Sequence, residues 1–139
     1  MLVVDTNIIA ALFLESDQFE VVELLLDAHP DWRVPYLWKS EFRNVLNQHR
    51  RAGRLSLERT IELQMTAEAY LHQTSSSPDS AHVLSLAAQS GCTPYDCEFV
   101  STAVQLGVAL VTFDKKLLAA FPDVAKSPMT ILTGGSRAP

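Results

Sequence analysis

Four acids stand where a carboxylate could do chemistry: Asp5, Glu41, Asp96 and Asp114. Asp5 directly follows the apolar run Leu2-Val3-Val4, and Asp114 comes shortly after a second run, Val108 to Val111. Such runs read as buried strands. In open parallel sheets ligands bind outside the carboxyl ends of the strands. Both acids therefore point toward the expected crevice, although each could also cap the helix that follows it. Glu41 lies on the margin of a stripe with Leu37, Trp38 and Val45 once the segment from Tyr36 is wound into a helix. A carboxylate there sheds water, which is costly unless it is paired or bound to a cation. Asp96 falls in the first turn of a helix opened by Thr93 and Pro94, on a face shared with Phe99, Val100 and Ala103. The helix dipole alone would favour an acid at that place.

Taken singly, each acid has a structural explanation. Gathered in one place, they would repel one another and hold their protons more tightly. A hard divalent cation removes that penalty, and Mg²⁺ or Mn²⁺ prefers carboxylate oxygen and water. Histidines 29, 49, 72 and 82 have no ligand spacing and are expected as surface or core residues. An acid-built Mg²⁺ site suggests phosphate chemistry in which water attacks phosphorus. The chain has no nucleophile elbow, no Gly-rich phosphate loop and no dinucleotide fingerprint.

The elements that must position these acids alternate short apolar strands with helices. Strands are expected at Leu2–Val4, residues 32–35, Val108–Val111 and residues 129–132. Helices are expected from Thr6 to Leu14, Phe19 to Ala28, Tyr36 to Ala52, Ser56 to about Leu71, Asp79 or Ser80 to Ser90, Thr93 to Gly107, and Lys115 to Phe121. Gly53 stands where a left-handed residue closes a helix. Residues 74–78 read either as a loop or as a polar strand. This alternation predicts an α/β domain with a mostly parallel sheet. Residues 1–133 read as a single domain and 134–139 as a short flexible tail.

Length and composition agree with one ordinary globular domain: 139 residues, 47% hydrophobic and 19% charged. Cys92 and Cys97 make neither a disulfide framework nor a zinc pattern, and are expected reduced and semi-buried. No apolar run approaches the ~18 residues of a membrane span. The start, Met1 to Asp5, lacks the basic region of a signal peptide, so a cytoplasmic protein is expected. The net charge of −5 argues against a simple basic nucleic-acid binder. That charge is unevenly placed, however. Residues 1–31 carry seven acids and no Lys or Arg, whereas residues 39–59 carry six bases against two acids.

Four segments, in order, are similar to one known family. Residues 3–7 (VVDTN), 34–46 (VPYLWKSEFRNVL), 93–103 (TPYDCEFVSTA) and 106–117 (LGVALVTFDKKL) resemble the successive motifs of PIN-domain ribonucleases. The resemblance runs from residue 2 to about 132, and the size is that of VapC-type toxins. It implies a three-layer α/β/α sandwich and a Mg²⁺- or Mn²⁺-dependent endoribonuclease. It also implies a homodimer, held inactive by a cognate antitoxin. Asp5 and Asp96 map to metal ligands. Glu41 and Asp114 map to the rest of the acidic pocket and to orienting the attacking water. Asn7 and Thr112 match neutral motif positions that would hydrogen-bond those carboxylates. Lys39, Arg43, Arg50, Arg51, Lys115 and Lys116 become candidates for gripping the RNA backbone, although a basic run is as readily a solvated helix face.

Two other readings stay open. One is a receiver-type phosphoacceptor, which needs an acidic pair near the first strand and an acceptor Asp ending a middle strand. Here Asp5 stands alone and Asp96 belongs to a helix start. The other is a non-catalytic PIN-fold binding module, which would have no reason to bind metal among these acids.

Overall fold

A computed structural model describes residues 1–74 and 77–134 of the chain. Five parallel strands form one sheet in the order β3-β2-β1-β4-β5. They are β1 (Leu2–Val4), β2 (Trp32–Val34), β3 (His72–Gln73), β4 (Leu110–Val111) and β5 (Ala125–Lys126). Val3, Val4, Val34, Leu110 and Val111 are fully buried. Burial of successive residues, whose side chains leave opposite faces of a strand, requires cover on both faces. Helices supply it, giving the expected three-layer α/β/α sandwich.

The helices are α1 (Thr6–Phe13), α2 (Phe19–Ala28), α3 (Leu37–Arg51), α4 (Leu57–Tyr70), α5 (Ser80–Ser90), α6 (Pro94–Leu106), α7 (Lys115–Ala120) and α8 (Pro128–Thr133). On α3, Trp38, Phe42 and Leu46 recur every four residues and form a buried ridge. Phe42 also meets Phe13 of α1, with ring centroids 6.1 Å apart. On α6 the buried face holds Cys97, Phe99, Val100 and Ala103, and this helix packs against β1 and β4. Both cysteines are buried and unpaired. No helix among the described residues is long and apolar enough to cross a membrane.

Local chemistry explains most helix boundaries. Ser56, Asp79 and Thr93 each accept a hydrogen bond from the backbone N–H three residues on. Asp79, not Ser80, is thus the cap of α5.

One expectation fails. Residues 129–132 are not a strand; Met129 to Leu132 lie in α8. Ser127 caps that helix through the Thr130 N–H at 3.1 Å, and Pro128 occupies its first position. A four-residue apolar run does not distinguish strand from helix, and here the Ser-Pro start signal decided. The last strand is Ala125–Lys126, bound to β4 through the Leu110 N–H to Val124 and the Thr112 N–H to Lys126 carbonyls. Of residues 74–78, left open between loop and strand, the described Thr74, Ser77 and Pro78 lie in no helix or strand, which is the loop alternative. The polar strand is His72–Gln73, whose pairing with β2 is followed by the Thr74 N–H donating to the Val34 carbonyl at 2.9 Å. Ser75 and Ser76 lie outside the described residues, as do positions 135–139 of the expected tail.

Candidate active site

The strand order places β1 beside β4, where the sequence of strands reverses direction across the sheet. A crevice opens at the carboxyl end of such a switch point. Asp5 leaves β1 there and Asp114 follows β4. Asp5 is 7% exposed and Thr112 wholly buried. The Asp5 N–H donates to the Val111 carbonyl at 2.9 Å, continuing the ladder by one step. Thr112 Oγ1 donates to Asp5 Oδ2 at 2.8 Å, and the Thr6 N–H donates to Asp5 Oδ1 at 2.8 Å. Asn7 Nδ2 reaches Thr112 Oγ1 at 3.2 Å and Asp5 Oδ2 at 3.4 Å. Asn7 Oδ1 accepts the Phe113 N–H, and Thr112 Oγ1 accepts the Asp114 N–H. The two neutral motif residues therefore stitch the ends of β1 and β4 together and hold Asp5 in one orientation.

The remaining acids arrive on helices. Glu41, half-buried on α3, accepts the Thr6 hydroxyl proton at Oε1 (2.8 Å). Asp96 stands in the first turn of α6, set by the cap at Thr93. Asp114 caps α7 through the Lys116 N–H at 2.8 Å, so its capping role and its place at the crevice coexist.

Burial, foremost, pushes the Asp5 carboxyl up to about 6 from an ordinary 3.8. Hydrogen bonds from Thr112 and Thr6 oppose the shift, and the charges of Glu41 and Asp96 add to it. Burial likewise raises Glu41, whose Thr6 bond opposes while Asp96 and Glu98 reinforce. Asp96 is raised by burial, then lowered by its Thr93 bond, raised by Asp114 and lowered by Lys116. All four expected acids thus share one electrostatic neighbourhood.

Glu98 joins them unannounced. It is raised by burial and acts on Glu41. Two residues from Asp96 on a helix means roughly 200° around the axis, so helical spacing alone assigns it to another face. Only the approach of α3 reveals it.

A model of the PIN domain matches residues 2–126. The chain belongs to the PIN-domain family. This PIN domain is 30% identical to Ribonuclease VapC3 of Pyrobaculum aerophilum over 126 residues, covering 87% of this chain and 95% of that protein. It superposes on the crystal structure of PAE2754 from Pyrobaculum aerophilum with a TM-score of 0.76 and 22% identity, over 96% of this chain and 93% of the other. A toxin–antitoxin complex from Klebsiella pneumoniae aligns with a TM-score of 0.69 and 18% identity, over 92% and 98%.

The donor set of the PIN domain suits a hard divalent cation: carboxylate oxygens that repel one another, with burial raising Asp5, Glu41 and Asp96. Among the described residues the ion pairs lie elsewhere, at Asp31 with Arg33 and His72, Lys39 with Glu68, and Arg59 with Glu62. No three such side chains among the described residues converge in ligating geometry. Asp5 is fixed by its bonds, so bringing donors together falls to the half-buried Glu41 and Asp96.

The candidate bases divide. Lys116 comes close enough to stabilise the Asp96 carboxylate, with Nζ anchored on the Gly91 carbonyl at 2.9 Å. Lys115 is exposed in the same turn of α7. Lys39 is paired with Glu68 at 3.7 Å. Arg43 and Arg50 line a separate groove with Leu57, Ile61 and Met65 between α3 and α4. Arg51 is exposed near the end of α3. A groove of about 550 Å³ leads away from Thr6, Asn7 and Glu41 between α1 and α3.

Proposed function

We propose that this PIN domain is an endoribonuclease that uses Mg²⁺ or Mn²⁺ to hydrolyse RNA phosphodiester bonds, as the toxin of a toxin–antitoxin pair. The observation that carries the reading is the meeting of Asp5, Glu41, Asp96 and Asp114, from four distant segments, at one sheet crevice with no Lys or Arg paired to them among the described residues. The ribonuclease name of the Pyrobaculum relative supports the substrate class.

Asp5, Asp96 and, beside them, Glu41 and Asp114 would hold the cation, which when bound polarises phosphate oxygen and lowers the pKa of water. The chain's own groups do the rest. Thr112 and Asn7 keep the Asp5 carboxylate aimed into the crevice. Glu41, tied at Oε1 to Thr6, offers Oε2 to a water as general base, and burial strengthens its hold on the proton. The water oxygen bonds to phosphorus as one of its protons passes to Glu41, and the bond to the leaving ribose oxygen breaks, that oxygen keeping the electron pair and taking a proton from solvent. Lys116, and Lys115 beside it, place positive charge at the rim for the neighbouring phosphate.

The Klebsiella structure is a toxin–antitoxin complex, which supports an antitoxin as the protein partner; a homodimer and residence in the cytoplasm belong to the same proposal. The test is direct. Incubated with cellular RNA, the protein should cut it with Mn²⁺ or Mg²⁺ and stop when EDTA is added. Cutting that persists in EDTA, or none under any divalent ion, would sink the reading.

Thr112→Val probes the orienting role. It keeps the shape but removes the donor to Asp5 and the acceptor for the Asp114 N–H. Cleavage should fall about 10–100-fold, as when a group supporting a metal ligand is lost. The acidic limb of the pH–rate profile should move to higher pH, because Asp5 loses a bond that favours its charged form. A drop in rate with an unmoved limb would mean that Thr112 acts only on folding.

A further inference from the structure

The groove beside Glu41 does not end on α3. A second cavity of about 400 Å³ is lined by Phe13, Arg54, Leu55, Arg59 and Leu63, and shares Leu14, Glu15 and His49 with the first. The two cavities adjoin at those three residues, with Glu41 lining the first and Arg54 and Arg59 the second. Glu41 and His49 are eight residues apart on one helix, about 12 Å. That length takes roughly three stacked nucleotides at ~3.4 Å each.

The basic end is built by the chain reversal after α3. Gly53 adopts φ +79°, and the Arg54 N–H donates back to the His49 carbonyl while the Gly53 N–H donates to Arg50. This Schellman closure brings Arg54 over His49. Arg54 Nε then donates to His49 Nδ1 at 3.0 Å. With Nδ1 accepting, the neutral ring carries its proton on Nε2, a donor for an anion. The channel floor is apolar (Ala10, Ala11, Leu14, Val45), with a Phe ring at each end: Phe113 near the acids and Phe13 near the arginines. Aromatic and basic side chains together hold single strands without sequence preference; Phe113 lines the acidic end, while the Phe13 ring already packs on Phe42 and Tyr70. Arg43 and Arg50 open onto the other side of α3, and Arg50 is bonded to Asn47.

We infer that single-stranded RNA crosses this protein along the α1–α3 channel, from the acids at Glu41 to a clamp formed by His49, Arg54 and Arg59, and not over Arg43 and Arg50. The inference rests on the nuclease reading and deepens it. His49, Arg54 and Arg59 are positioning residues. Glu15, at the waist of the channel, is a negative charge the RNA must pass, and it limits affinity.

The test measures binding of a random-sequence single-stranded RNA oligonucleotide to the Asp96→Asn protein across a salt series. Replacing Arg54 and Arg59 together by Ala should reduce the salt slope by about 1.4, near 0.7 for each phosphate no longer neutralised. Glu15→Gln should tighten binding. In the cleaving protein the Arg54→Ala/Arg59→Ala pair should raise KM and leave kcat in place, and Arg54→Lys should keep most of the slope. Both arginines are exposed, so the variants should fold, which circular dichroism checks. An unchanged slope, or a slope reduced instead by Arg43→Ala/Arg50→Ala, overturns the path. So does a pair variant that binds RNA normally but no longer binds its antitoxin, since the channel would then be a protein-docking surface. RNA bound with the expected slope but never cut with Mn²⁺ defeats the nuclease reading and leaves the path standing. RNA cut with an unchanged KM in the pair variant defeats the path alone.

Discussion

Asp5→Asn should abolish RNA cleavage and, in the absence of divalent ions, stabilise the protein at neutral pH. The loss of activity should exceed about 100-fold, since a carboxylate that would hold the cation counts for more than the groups supporting it, whose loss costs about 10–100-fold. The stability gain follows from burial. Asp5 is held at about 6 against an ordinary 3.8, and 6 − 3.8 = 2.2. At about 1.4 kcal/mol for each unit, ionising it in the folded state costs about 3 kcal/mol. Asparagine carries no charge and escapes that cost. It also presents one acceptor oxygen where Asp5 uses two, for Thr6 and for Thr112, and a lost hydrogen bond costs about 1 kcal/mol. A net gain of about 1–2 kcal/mol should appear in urea denaturation with EDTA present. A less stable Asp5→Asn protein would mean that the carboxylate is a structural anchor, not a strained group waiting for a cation.

The same strain makes stability depend on pH in an unusual direction. Between the unfolded and folded pKa values of Asp5 the native state binds the extra proton, so stability falls as pH rises through about 6. From pH 5 to 7.5 the metal-free protein should lose about 1.4 kcal/mol from Asp5 alone, because pH 5 lies about one unit below its folded value. Glu41 and Asp96 are shifted upward too and act in the same direction. Asp31 behaves oppositely: its hydrogen bond from Arg33 holds it at about 2. Its contribution is present above its ordinary 3.8 and fades only below it, outside this window. Adding Mg²⁺ or Mn²⁺ at pH 7.5 should restore the loss and do little at pH 5, where Asp5 keeps its proton. Denaturation midpoints at the two pH values, with and without the ion, check both effects. A midpoint that rises from pH 5 to 7.5 in EDTA would contradict the burial of charge at this crevice.

Much of this molecule was legible locally. Leu2–Val4 ends in Asp5 because a buried strand must release its chain at a polar residue. Thr93, Pro94 and Asp96 carry a cap, a fixed φ and a dipole partner within four positions, so α6 starts where expected. Gly53 marked the end of α3 correctly. The errors fell on segments whose state is decided by neighbours. Two-residue strands such as His72–Gln73 and Ala125–Lys126 are too short to have a period. They exist because β2 and β4 offer them unpaired backbone groups. Met129 to Leu132 was apolar enough for either state, and its start signal at Ser127 and Pro128 outweighed β propensity.

The sequence by itself determined which residues carry charge, which segments bury their faces, that Asp5 and Asp114 follow strands, that Asp96 opens a helix and that Glu41 borders an apolar helix stripe. These are local properties, set by period, capping and the cost of burying a carboxylate. Tertiary structure alone decided how they combine. Placing β1 beside β4 brings Thr112 to Asp5 across 107 positions. Docking α3 against α1 gives Glu41 the Thr6 hydroxyl, and its approach to α6 adds Glu98. The split of the basic run into a channel side and an opposite side likewise depends on where α1 and α4 pack on α3. Electrostatic fields and hydrogen bonds act through space, and residues far apart in the chain acquire their pKa values, partners and access only when packing makes them neighbours.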